Sequence, residues 1–193
     1  MIHYIEAIDP GPEESAVVAV ATDYMGMLEV RHADNLPNAT VLSERMSKGA
    51  GQCARLDRLI IEGWVPGGSS IGAESIATIE AMAVFHDRAV FAGAVAKPEH
   101  VIRMNRPRMK LELGLPKTAS DADVRARLID LFGGKEAAIG KRKTAPGPLA
   151  AITGSHLWAA LALAVAYVQS VRDEALRARR IEEGAVFAPR SET

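Results

Sequence analysis

With a single cysteine, Cys53, in 193 residues, the chain has no internal disulfide framework and no paired-cysteine zinc site. Its fold must rest on packing alone, and a reducing, cytoplasmic setting is expected. There is no internal repeat and no low-complexity tract. The opening residues Met1-Ile2-His3-Tyr4-Ile5 carry no basic stretch followed by an apolar core and a small-residue cleavage site, so no secretion signal is expected. The longest apolar run, Leu157 to Val168, falls short of the roughly 20 residues that a bilayer crossing requires and reads as a buried core helix. No membrane partner is expected.

What the chain does have is apolar content, 48% of its residues, enough to bury the core of one domain. Residues 2–9, 15–22 and 26–31 alternate or run apolar, with Pro10-Gly11-Pro12 and Asp23 to Gly26 between them, and predict an antiparallel three-stranded meander. Residues 39–56 have loosely helical spacing. A short strand over 58–63, a Gly/Ser loop and an amphipathic helix over 71–88 follow, which is an α/β order. Residues 90–94 and 101–104 are expected to continue the sheet. Ser120 caps a helix over 121–132 that Gly133-Gly134 ends, residues 135–148 read as loop, and a final helix spans about 154–182. Its second half is strongly charged.

Two of the predicted strands end on an acid. Ile5-Glu6-Ala7-Ile8-Asp9 stops at Asp9 before Pro10-Gly11, and Leu59-Ile60-Ile61-Glu62 stops at Glu62 before Gly63. The third segment of interest is Ser155-His156-Leu157-Trp158-Ala159-Ala160-Leu161, which opens the Ala/Leu-rich helix. Taken singly, Asp9-Pro10-Gly11 is an ordinary turn, Glu62 a rim residue, His156 a locally bonded helix-start residue and Trp158 core. Their order along the chain gives them joint meaning.

That order, and the motifs Ile8-Asp9-Pro10-Gly11, Ile60-Ile61-Glu62 with Ala73-Glu74-Ser75, and residues 156–164, resemble the RuvC Holliday-junction resolvase family over roughly residues 1–170. The resemblance implies an RNase H-like α/β fold: a mixed sheet with three antiparallel N-terminal strands followed by parallel strands, flanked by helices. It implies a nuclease domain over 1–183 with a flexible tail over 184–193, in a version of the family suited to a phage or prophage. It further implies a metal-dependent, structure-selective endonuclease that cuts branched or four-way-junction DNA as a homodimer. Asp9, Glu62 and His156 would be its catalytic residues and metal ligands, holding two ions, Mg²⁺ or Mn²⁺, with Asp9 bridging them. Two such ions about 4 Å apart activate a water and stabilise the leaving oxygen of a phosphodiester, and an imidazole ligand favours Mn²⁺.

One position departs from the family pattern. Where the last helix of the family carries an aspartate three residues after its first ligand, this chain has Ala159, so no carboxylate shares that turn with His156. Glu6 and Glu74 are candidate substitutes, although strand alternation turns Glu6 away from Asp9 and Glu74 suits a solvated helix face. A chain that binds branched DNA without cutting it is the alternative reading. A nucleotide phosphotransferase of the actin-like or sugar-kinase-like type shares the early Asp-x-Gly turn, but it needs a second domain that 193 residues do not contain.

The net charge of −1 hides an asymmetry. Residues 1–100 hold 7 Lys/Arg against 14 Asp/Glu, whereas residues 101–150 hold 11 against 5. A basic segment beside acidic candidate ligands suits a polyanionic substrate. Arg103, Arg106, Arg108, Lys110, Lys141, Arg142 and Lys143 are the candidate phosphate contacts, with a solvated charged face as the plainer account.

Overall fold

The computed structural model describes residues 1–45, 56–64, 72–141 and 144–182. Strands β1 (His3–Asp9), β2 (Glu14–Thr22) and β3 (Leu28–Pro37) form the antiparallel meander. A one-turn helix α1 (Asn38–Thr40) leads into a π-helical turn at Val41–Arg45. Next come β4 (Arg58–Gly63), α2 (Ala73–Phe91), a 3₁₀ turn at Pro98–His100 and β5 (Val101–Asn105). The chain closes with α3 (Arg106–Glu112), α4 (Asp121–Leu131), α5 (Lys135–Ala138), a small ribbon of β6 (Gly140–Lys141) and β7 (Ala145–Pro146), and the long α6 (Ser155–Glu182).

The main sheet has the order β3-β2-β1-β4-β5, with β4 parallel to both β1 and β5. It is the mixed sheet expected from the sequence. Alternation sorts its side chains between two layers. Ile5, Ala7 and Ile60 face a core shared with Leu157, Leu161 and Ala164 of α6, while Ile8, Leu59 and Ile61 face one shared with Met82, Phe85 and Ala89 of α2. Residues 157–168 of α6 are buried or nearly so because that helix lies across β1 and β2 and is roofed by α3 and α4. This explains an apolar run too short for a membrane. Among the described residues, no helix is long and apolar enough to cross one.

Several boundaries differ from expectation. Residues 90–94, predicted as strand, are the end of α2 and its turn: Phe91 is the last helical residue and Gly93 takes φ 71°. Val90, the one β-branched residue there, packs against the core that the helix already reaches through Met82, Phe85 and Ala89. β3 runs on to Pro37, since it is the edge strand and tolerates polar residues such as His32, Asp34 and Asn35. It bulges opposite Ala19 and Val20, where Arg31 is the extra residue. Of the helix expected over 39–56, the described part is helical only through Arg45; residues 46–55 lie outside the described residues, and Leu56 already bridges to Val95. The supposed loop 135–148 contains α5 and the β6/β7 ribbon, and the basic stretch after Asn105 is helical, with Pro107 in its first turn, where the missing N–H costs nothing. The predicted tail lies outside the described residues.

Candidate active site

The register of the parallel pair decides where the two acids stand. Ile8 lies opposite Ile61, so the next residue of each strand, Asp9 and Glu62, leaves adjacent strand ends on the α6 face, about 5 Å apart. Gly11 makes the exit from β1 possible. A Cβ there would collide with the carbonyl oxygen of Glu14, so the turn that frees the sheet edge above Asp9 admits no side chain. The cost of this arrangement is a carboxylate almost out of water: Asp9 is 6% exposed.

His156 meets Asp9 from above. It is the second residue of α6, and Leu157, Trp158 and Leu161 are buried beneath it and fix the helix start. Its Nδ1 lies 2.9 Å from Asp9 Oδ2, while 71% of its side chain remains open to solvent. Glu62 and Asp9 are close enough for their carboxyls to share a hydrogen bond when one is protonated. Burial, that hydrogen bond and the charge of Asp9 push the Glu62 carboxyl up to about 7, against a pull downward from Arg106. The three segments singled out in the sequence thus converge at one edge of the sheet.

A fourth side chain belongs to this cluster. β5 runs parallel to β4 with Asn105 opposite Gly63, so Arg106, the next residue, emerges beside Glu62. Asn105 caps α3 by accepting from the Arg108 N–H at 2.9 Å, which sets the direction in which the chain leaves the strand. Arg106 Nε donates to Glu62 Oε1 at 2.7 Å, and its NH1 lies 3.6 Å from Asp121 Oδ2. Arg106 is therefore an internal partner of the acids, although its side chain stays 42% exposed. Sequence reasoning placed it among phosphate contacts; the available signal was its position immediately after a strand parallel to the one ending in Glu62. Asp121, in the first turn of α4, is its outer partner, a role nothing in the local sequence marks.

The proposed substitutes for the absent acid at Ala159 do not reach the cluster. Glu6 is buried, and alternation puts it on the α2 face; Glu74 is exposed in the first turn of α2, on that same side. Of the basic residues, Arg103 and Lys141 are exposed, Lys110 is half-buried, and Arg108 reaches Glu112 at 3.4 Å along its own helix. Arg142 and Lys143 lie outside the described residues. Trp158 is core, as expected, with the Arg125 guanidinium 4.9 Å above its ring.

A hard divalent ion suits the oxygens of Asp9 and Glu62, because a buried pair of like charges gains most from a cation. Among the described residues, however, no three His, Cys, Asp or Glu side chains form a group that could hold a metal. The donor set fits an ion bound by two carboxylates and completed by water and substrate, a mode that Mg²⁺ commonly accepts.

No family model matches the sequence, and no curated protein matches it. Its fold does match solved structures. The structure of Thermus thermophilus RuvC aligns with a TM-score of 0.60 over 89% of this chain and 96% of that one, at 18% identity. T. thermophilus RuvC in complex with a Holliday junction substrate aligns with a TM-score of 0.61 over 88% and 95%, at 16% identity. From its five-stranded mixed sheet to the helix that closes over Asp9, this chain has the RuvC fold, of the RNase H-like α/β type.

Proposed function

We propose that the protein is a divalent-metal-dependent endonuclease that hydrolyses phosphodiesters in branched DNA, including four-way junctions. The observation that carries this reading is the meeting of Asp9, Glu62 and His156 at one edge of the sheet, in a fold shared with a protein solved on a Holliday junction substrate. Asp9 and Glu62 would hold the ion. When bound, it supplies charge neutralisation at the phosphate and a more acidic water. Asp9 would anchor the ion and Glu62 would offer it an oxygen in place of a proton, while His156, open to solvent on its far side, orients Asp9 and is placed to exchange a proton with water. Mg²⁺ and Mn²⁺ are both suited to this oxygen-rich centre.

The exposed cations Arg103 and Lys141, with Arg108, Lys110, Arg142 and Lys143, are proposed as contacts to DNA phosphates. A four-way junction has two-fold symmetry and needs two matched cuts, so a homodimer is the proposed working form. A second reading, branched-DNA binding without cleavage, draws on Ala159, which leaves the α6 side of the cluster without a carboxylate.

One experiment separates the two. A labelled four-way junction is incubated with the protein and with Asp9→Asn, in Mg²⁺ and in Mn²⁺. Cleavage that disappears in Asp9→Asn supports the nuclease. Binding without cleavage in either metal supports the second reading, and indifference to the branch overturns both.

A further inference from the structure

We infer that Arg106 is a built-in cation of the cluster, standing where a second metal ion would otherwise be needed, so that the site takes one divalent ion per chain. The inference deepens the nuclease reading and rests on it. It begins from charge. Asp9 and Glu62 are the two carboxylates that leave adjacent strand ends on the α6 face, and His156 adds a ring nitrogen without a negative charge. Two divalent ions would bring four positive charges to a centre with two negative ones. One turn beyond His156, where a further acid would face the same space, α6 carries Ala159.

Geometry agrees with the charge. The Arg106 guanidinium donates through Nε to Glu62 Oε1 at 2.7 Å, so it already holds an oxygen that a second ion would require. It is not a flexible surface arm caught in passing. It starts α3 directly after β5, its backbone direction is set by the Asn105 cap, and Asp121 steadies the guanidinium from outside at 3.6 Å. An arginine fork of this kind offers further N–H donors to a phosphate, a geometry that matches planar recognition of oxyanions. The 42% of its side chain open to solvent is the side from which DNA would arrive. Arg106 therefore divides the work of a two-cation centre with the single ion held on Asp9 and Glu62.

The test is a Mn²⁺ titration of the full chain, with free Mn²⁺ followed by electron paramagnetic resonance and junction cleavage measured on the same samples. The wild-type chain is expected to bind one Mn²⁺. Arg106→Gln removes the competing charge from Glu62, so it is expected to bind that ion at least fivefold tighter while cleaving at least a hundredfold more slowly. Tighter binding coupled to slower cleavage is a pairing that a merely structural arginine would not give. Arg106→Lys, which keeps the charge and guards against misfolding, should remain at one ion. The double variant Arg106→Gln/Ala159→Asp should bind two. Two Mn²⁺ per wild-type chain, or a wild-type affinity in Arg106→Gln, would overturn the inference while leaving the nuclease reading intact if cleavage persists. Absence of Mn²⁺ binding in both would overturn it together with the metal-dependent reading, and junction binding by the same protein would then favour the non-cleaving alternative.

Discussion

Glu62 is the residue whose protonation ties the site to stability. Its carboxyl rises from a usual 4.5 to about 7 in the folded chain, so the native state holds that proton more tightly than the unfolded one. The contribution is complete below about 4.5 and is lost as pH climbs through about 7, so Glu62 stabilises the metal-free protein less at pH 8 than at pH 5. The loss is on the order of 2 kcal/mol. Urea unfolding at the two pH values should show the slope, and Glu62→Gln should remove this share of it. A wild-type slope in Glu62→Gln would place the titration elsewhere. Mg²⁺ should flatten the same curve, because a cation replaces the proton. At Asp9 the expectation concerns chemistry: Asp9→Asn should lower junction cleavage by about 10³-fold or more.

At the scale of elements, the ends of strands and helices carry most of the positioning, and their chemistry can be tested one residue at a time. Gly11→Ala sets a methyl group against the Glu14 carbonyl oxygen. It should destabilise the chain by roughly 1–3 kcal/mol in thermal or urea unfolding and loosen the Asp9 end of β1. Ser120 and Asp123 form a reciprocal capping box at α4, and Ser120→Ala should cost about 1 kcal/mol. The cap, the meander and the strand that ends on Glu62 were legible in the sequence because each depends on local chemistry: alternation, turn residues, a hydroxyl before an acid. The end of α2 was not, since Val90-Phe91-Ala92 suits a strand as well as a helix and only packing beneath β4 and β5 decides between them. Asp9, Glu62 and His156 were readable as three segments. Their fourth companion was not, because what makes Arg106 an internal cation is the β4/β5 register, a long-range fact that a basic stretch in the sequence disguises.

For the whole molecule, the separation of acidic and basic halves of the chain is the property that bears on the proposed binding of DNA. If Arg103 and Lys141 lie in the footprint, Arg103→Ala/Lys141→Ala should weaken junction binding at moderate salt and reduce the slope of log affinity against log salt by about 2, near one per lost contact. Unchanged slope would assign them to a solvated face. The contact that completes the cluster also spans nearly the whole chain: His156 and Asp9 are 147 positions apart. Closure of so long a loop is among the slow steps of folding. During synthesis, Asp9 and Glu62 leave the ribosome long before the helix that covers them, and they wait as an open pair of strand ends. The cluster therefore cannot form in a partly made chain, and its assembly marks the moment at which the last helix has docked.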